Sequence, residues 1–246
     1  MEISALNSQP SVYKKALLEH FNERRQKIEM LVLHSMAHGA EEGIARLDEL
    51  QLSAHYVIDF DGRIFQCVDE KYRAWHAGVS SWRGRDDLNS RSIGIEVCHK
   101  TLGQSAFKKE QIKSLIGLCR DIVLRHNILP QMIVGHSDIA PSRKPDPGRA
   151  FPWEILATNG LGLWYGDIKS FPDDICDMLK EIGYDTSDKS AAVCAFCRRF
   201  LPQKIPALGV RYLLSHPVIK NAEKLLQDSE VVRAVHNIRD QYQKMF

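Results

Sequence analysis

Residues 30–34 read Met30-Leu31-Val32-Leu33-His34, a short apolar run closed by a histidine, and similar wording returns at Met132-Ile133-Val134-Gly135-His136. Runs of this length that are rich in branched side chains make buried strands. Between them lies Ser92-Ile93-Gly94-Ile95-Glu96-Val97, a third strand with one carboxylate inside an apolar frame. Tyr56-Val57-Ile58-Asp59-Phe60, Asp61-Gly62 and Arg63-Ile64-Phe65-Gln66-Cys67-Val68 read as a hairpin, because Asp-Gly supplies the positive φ angles of a tight turn.

Helical patterns separate these strands. Ile44 to Leu52 reads as a short amphipathic helix, and Lys109 to His126 places Ile112, Leu115, Ile116, Cys119, Ile122 and Val123 on one face. Val12 to Ile28 is charged and helix-compatible. The alternation predicts an α/β fold with a mixed central sheet flanked by helices. Ala77 to Arg91 reads as a polar loop, of a length that is commonly functional or disordered. Ser142 to Pro152 carries Pro145, Pro147, Gly148 and Pro152, and forms a rigid loop because proline fixes φ and lacks a donor. Beyond Asn159-Gly160-Leu161-Gly162 and Ser170-Phe171-Pro172 the pattern is purely helical, roughly at 173–182, 190–200 and a broken stretch over 217–245. The expected organisation is therefore an α/β domain over 1–166 and a small all-helical domain over 167–246.

At 246 residues, 44% hydrophobic and 26% charged, the chain is globular in composition. Lys and Arg number 33 against 31 Asp and Glu, and the excess is one positive charge on each side of residue 166. A nucleic-acid partner would call for a clustered basic surface, and an anionic membrane surface is disfavoured on the same ground. No window is long and apolar enough to span a bilayer. Met1 to Pro10 lacks a basic stretch leading into an apolar run, so a cytoplasmic location is expected, or a periplasmic one if the natural start differs. The six cysteines are too sparse for a disulfide scaffold. Cys194 and Cys197 form a CxxC inside a helical pattern, where a packed apolar face is the better reading than a redox or zinc pair. Oligomeric state leaves no trace in the sequence.

Both His34 and His136 would project from the ends of core strands, where sites on α/β sheets are built. Asp146 follows in the proline-rich loop. Two neutral imidazoles and one carboxylate leave a bound Zn²⁺ with a net charge near +1 and an open fourth position, the ligand count of a catalytic site. Glu96 is either a solvated strand residue or a general base beside that metal. Lys144 is either solvated or a cation placed where an oxyanion would develop.

The stretch Ala54-His55-Tyr56-Val57-Ile58, then Arg73-Ala74-Trp75-His76-Ala77-Gly78, Gly94-Ile95-Glu96, Gly135-His136-Ser137-Asp138-Ile139-Ala140-Pro141 and Arg143-Lys144-Pro145-Asp146-Pro147-Gly148 resembles the zinc-dependent N-acetylmuramoyl-L-alanine amidases of the AmpD and AmiD type. These share the fold of T7 lysozyme and the peptidoglycan-recognition proteins, and the match runs from about Met30 to Trp164. The resemblance implies that His34, His136 and Asp146 bind zinc, that Glu96 is the general base and that Lys144 stabilises the transition state. The implied reaction is hydrolysis of the amide between the lactyl group of a muramyl sugar and the L-alanine of its stem peptide. Muramyl peptides or peptidoglycan fragments are the implied partners, within cell-wall turnover or recycling. The alternative is a recognition module that holds such fragments without cutting them.

By the same resemblance Trp75, His76 and Ala77 line the substrate groove, and Arg85 and Asn89 border it. Trp75 offers an apolar face to a sugar or to ordinary packing, and Arg85 would pair with a stem-peptide carboxylate. Asp87 stands where the recycling branch tends to carry a further Arg, which moves the chain toward the AmiD type. The C-terminal stretches Leu179-Lys180-Glu181-Ile182-Gly183-Tyr184 and Ala195-Phe196-Cys197-Arg198-Arg199-Phe200 resemble the three-helix peptidoglycan-binding domain of AmiD-type enzymes.

Overall fold

The computed structural model describes residues 14–166 and 175–244. The Met1–Pro10 stretch, the Ser170-Phe171-Pro172 linker and the expected helix start at 173 lie outside the described residues. In chain order the strands and helices are β1 (Lys14–Lys15), β2 (Phe21–Glu23), β3 (Met30–Met36), α1 (Ala40–Glu49), β4 (Tyr56–Ile58), β5 (Ile64–Gln66), β6 (Tyr72–Ala74), α2 (Leu88–Arg91) and β7 (Ser92–Cys98). They continue with α3 (Lys109–His126), β8 (Ile133–Gly135), α4 (His136–Ile139), α5 (Trp153–Thr158), α6 (Ile175–Ile182), α7 (Lys189–Phe200), α8 (Val210–Ser215) and α9 (Ser229–Gln243).

Among the described residues, a six-stranded sheet runs β1-β5-β4-β7-β3-β8. The β4–β5 hairpin is antiparallel, whereas β4–β7, β7–β3 and β3–β8 are parallel. The mixed sheet expected from the alternation is therefore present. In register, His34 stands beside Glu96 and Val32 beside Gly94, while Leu33 pairs with Gly135. Because side chains alternate along a strand, His34, Glu96, Gly94 and Ser92 share one face. Ile93, Ile95 and Val97 point to the other face and join the main core, to which α3 contributes Leu115, Leu118, Cys119 and Ile122.

Two expectations are corrected, and a third is given its detail. The charged stretch up to Ile28 is not helical over its described part: it forms β1, which pairs with β5, and β2, which pairs with β6. Sheet edges were available to these residues, and a weak apolar periodicity could not outweigh ladder hydrogen bonds. The segment from Ala77 to Arg91 is less of a polar loop than its composition suggests, since it ends in α2 and fully buries Trp82 and Leu88. The broken stretch over 217–245 resolves into a 3₁₀ turn at Ala222–Gln227 followed by α9. Cys194 and Cys197 lie on the buried side of α7, as read from the sequence.

The helices after residue 175 share one continuous core with the sheet. At their junction a buried ion pair joins Arg199 of α7 to Asp138 of α4, with Nη1 to Oδ2 at 2.7 Å and both side chains 1% exposed. Every polar partner of Asp138 is accounted for: Tyr184 donates its hydroxyl to Oδ1 at 2.9 Å, and the Gly135 N–H donates to Oδ2 at 2.8 Å. Arg199 also donates to Ile133 O at 3.0 Å and lies over the Trp153 ring at 4.2 Å. Removing one partner of a buried pair strands the other charge. Arg199→Met is accordingly expected to lower stability by about 3–5 kcal/mol, read as a lowered urea midpoint; a loss below about 1 kcal/mol would contradict this account.

Candidate active site

The parallel strands deliver their carboxyl ends to one edge of the sheet, where sites in open α/β folds form. His34 arrives on β3 and His136 opens α4 directly after β8. Asp146 comes from the proline-rich loop, whose backbone is tied back by Ser137 N–H donating to Asp146 O at 2.8 Å and by Ser35 Oγ donating to Pro147 O at 3.2 Å. The connection after β7 closes on the same loop, with Ala150 N–H donating to Gly103 O at 2.9 Å.

Three ligand atoms converge. The Nδ1 atoms of His34 and His136 are 2.9 Å apart, and Asp146 Oδ2 lies 3.2 Å from the first and 3.1 Å from the second. All three residues are buried, and among the described residues this is the group of histidine, cysteine and acidic side chains arranged to hold a metal ion. Burial, aided by the neighbouring His136, holds His34 down to about 4, so its imidazole is neutral at physiological pH. Burial works against the charge on Asp146, yet His136 and His34 keep its carboxyl well below the usual range. Two imidazole nitrogens and one carboxylate oxygen, closing on a common point, fit a Zn²⁺ ion with open coordination.

Glu96 stands at the edge of this centre, its Oε1 3.9 Å from His34 Nδ1 and its Oε2 buried with no hydrogen-bond partner. Burial, reinforced by the Asp146 carboxylate and opposed by Lys144, pushes its carboxyl up to about 8. Glu96 and Lys144 border one groove together with His136 and Asp146, and Trp75, His76 and Leu102 also line it. Leu47, Leu50 and Leu52 continue it along α1, and Leu214 enters from α8. The C-terminal helices thus contribute directly to the groove.

The residues expected around the groove separate into two sets. Trp75 lines it, with its indole N–H donated to Asn22 Oδ1 at 2.8 Å. Arg85 does not border it. Arg85 Nε binds Glu29 Oε1 at 3.1 Å, and Arg91 shares that carboxylate at 3.0 Å. Glu29 precedes β3, so Arg85 is held roughly 16 Å of strand away from His34. Asn89 is also withdrawn from the groove: it is buried, and its Oδ1 accepts the backbone N–H groups of His76 and Ala77 at 3.0 and 2.7 Å. His76 and Ala77 face His34 and His136, with His76 Nδ1 3.0 Å from His34 Nε2 and Ala77 O 3.2 Å from His136 Nε2. Asp87, the departure from the recycling branch, is bound by Arg73 at 2.8 Å.

Sequence reasoning assigned no role to His55, whose Nδ1 accepts the Gly94 N–H at 2.9 Å and whose ring meets that of His76 at 5.6 Å. It also passed over Arg143, which donates to Ala77 O at 2.9 Å and Val79 O at 2.7 Å. Neither carries a periodic signal, since each acts across a long sequence separation. Gly94 did carry one, as a glycine inside an apolar strand. A Cβ at Gly94 would stand 2.4 Å from Cγ of His76, so the ring occupies the space that glycine leaves. Gly94→Ala is expected to displace His76 and cost about 1–3 kcal/mol in urea unfolding; an unchanged midpoint would show that the ring yields freely.

The match to known proteins agrees with this geometry. Residues 24–149 match the family described as N-acetylmuramoyl-L-alanine amidase. The Escherichia coli K12 protein named N-acetylmuramoyl-L-alanine amidase AmiD is 36% identical over 209 residues, covering 72% of this chain and 76% of that protein. The Enterobacter cloacae 1,6-anhydro-N-acetylmuramyl-L-alanine amidase AmpD is 41% identical over 109 residues, covering 44% of this chain and 57% of its own length. Among solved structures, Escherichia coli AmiD with anhydro-N-acetylmuramic acid-L-Ala-D-γ-Glu-L-Lys superposes with a TM-score of 0.70 at 30% identity, covering 91% of this chain and 98% of that one. Pseudomonas aeruginosa AmpDh3 with an anhydromuramic pentapeptide gives 0.73 at 26% identity, covering 98% of each chain.

Proposed function

From the premise that the chain belongs to the N-acetylmuramoyl-L-alanine amidase family, we propose that it is a zinc enzyme cleaving the lactyl–L-alanine amide of muramyl peptides, with His34, His136 and Asp146 as metal ligands. The observation that carries this reading is the convergence of two imidazole nitrogens and a carboxylate oxygen within hydrogen-bonding range of one another, beside Glu96, whose buried Oε2 has no hydrogen-bond partner. Zinc held there would supply a Lewis acid for the scissile carbonyl and a water acidified from a pKa near 16 toward ~7.

The protein's own groups divide the remaining work. Glu96, its side chain 12% exposed and its Oε1 3.9 Å from His34 Nδ1, is placed to take a proton from the attacking water and return it to the leaving amine. A carboxyl pushed up toward neutrality retains a transferred proton long enough to do so. Lys144 puts an ammonium on the groove wall, where it would stabilise the oxyanion formed from the carbonyl. Trp75 presents its apolar ring to the groove, a surface suited to a face of the sugar. Within this proposal residues 1–166 carry the chemistry, and residues 167–246 form a helical part whose α8 completes the groove wall.

Purified protein supplied with an anhydro-muramyl tripeptide is expected to release free sugar and peptide by mass spectrometry. Activity should be lost on chelation and regained with Zn²⁺; an intact lactyl–alanine bond under zinc-replete conditions rejects the proposal. Glu96→Gln should retain zinc while turnover falls by about 10²–10⁴-fold. Comparing 1,6-anhydro substrates, the ordinary reducing form and intact sacculi then assigns the physiological substrate. Strict dependence on the anhydro sugar points to recycling of soluble fragments, and equal rates point to the broader AmiD-like range.

A further inference from the structure

We propose that His76 and Ala77 are positioning residues, which hold His34 and His136 in the one tautomer and orientation that leaves both Nδ1 atoms free for zinc; the inference rests on the zinc amidase reading above. Residues 75–77 were expected to line the substrate groove. His76 does reach its wall, but its ring nitrogens are committed elsewhere.

Nδ1 of each imidazole faces the common point shared with Asp146 Oδ2. A neutral imidazole that ligates through Nδ1 carries its proton on Nε2, and a buried N–H needs an acceptor. Both acceptors come from adjacent residues. His34 Nε2 lies 3.0 Å from Nδ1 of His76, and His136 Nε2 lies 3.2 Å from Ala77 O.

The direction of the first bond is fixed by what lies behind it. If His76 accepts at Nδ1, its own proton sits on Nε2, which faces Ser92 Oγ at 3.4 Å. The Ser92 hydroxyl in turn donates to Leu88 O at 2.6 Å. Protons then run one way, from His34 through His76 and Ser92 to a backbone carbonyl. Reversing the chain would turn the Ser92 hydroxyl away from Leu88 O and put the His34 proton on Nδ1, at the point where the metal binds.

The rest of the surroundings fix the two acceptors in place. Asn89 Oδ1 takes both backbone N–H groups of the His76–Ala77 pair. Gly94 leaves the His76 ring room to lie against β7. Arg143 adds a second donor to Ala77 O at 2.9 Å. Outer partners of this kind orient metal-bound histidines, and losing one typically weakens metal binding about 10–100-fold.

The test is zinc affinity, measured on metal-free protein by competition with a chromophoric chelator and backed by the visible spectrum of the Co²⁺-loaded form. His76→Phe keeps a ring but removes the acceptor, and His76→Asn puts an amide oxygen near the position of Nδ1. The expected result is a 10–100-fold loss of zinc affinity and an altered Co²⁺ spectrum in His76→Phe, with most of the affinity recovered in His76→Asn. The KM of the zinc-saturated enzyme should stay within about twofold, since the residue acts through His34.

Zinc affinity within about twofold of wild type, coupled to a raised KM, overturns the proposal in favour of a substrate contact. Equal losses in the Phe and Asn variants overturn the role of the acceptor. If urea unfolding shows that His76→Phe does not fold, His76→Ala is read by the same criteria. Wild-type protein that takes up no zinc refutes the metal reading itself and this inference with it.

Discussion

The Nδ1 atoms of His34 and His136 and one oxygen of Asp146 are buried within 2.9–3.2 Å of one another, an arrangement that three acceptors do not favour by themselves. With neither Nδ1 protonated, as the zinc reading requires, the two lone pairs would repel, and the nearby carboxylate would add electron density at the same point. A cation satisfies all three at once. Much of the surrounding structure serves to keep the set together: parallel β3 and β8 bring the histidines to one sheet edge, and the proline-rich loop returns Asp146 to them.

Glu96 depends on the same constraint. Its registry beside His34 follows from the β3–β7 ladder, and its elevated carboxyl follows from burial next to Asp146. A carboxylate among other buried acceptors would destabilise an ordinary strand. Here it leaves a carboxyl with an unpartnered oxygen at the rim of a group that could hold a metal ion, with Lys144 on the same groove wall. The tuning of Glu96 and the identity of the ligands are thus one arrangement seen from two positions.

The helical C-terminal part is tied to this centre rather than appended to it. Arg199 reaches Asp138, two residues beyond His136, and Asp138 caps the N–H of Gly135, the residue before it. Leu214 of α8 borders the groove itself. Only the helical character of the segment was legible in its sequence. That a fully buried Arg of α7 would pair with a motif aspartate 61 residues earlier has no periodic signature.

The strands, the α3 helix and the candidacy of His34, His136 and Asp146 were legible because they rest on local quantities, and the family was legible through its motifs. Strand identity comes from short branched runs, the helix from its 3.6-residue face, and ligand candidacy from donor type at strand ends. The stretch from Trp75 to Asn89 was a different case. Its length and its resemblance to the amidases marked it as functional, but the same residue types would serve equally well for gripping a sugar, pairing with a carboxylate or bonding to backbone. The tertiary structure decided among these: Arg85 lies within reach of Glu29, Asn89 of two peptide N–H groups, and His76 of a ligand imidazole. The sequence by itself determined which chemical groups would be present at the sheet edge. Tertiary structure alone determined which of them face the groove and which stand behind it, because hydrogen-bond choice depends on distances between segments far apart in the chain.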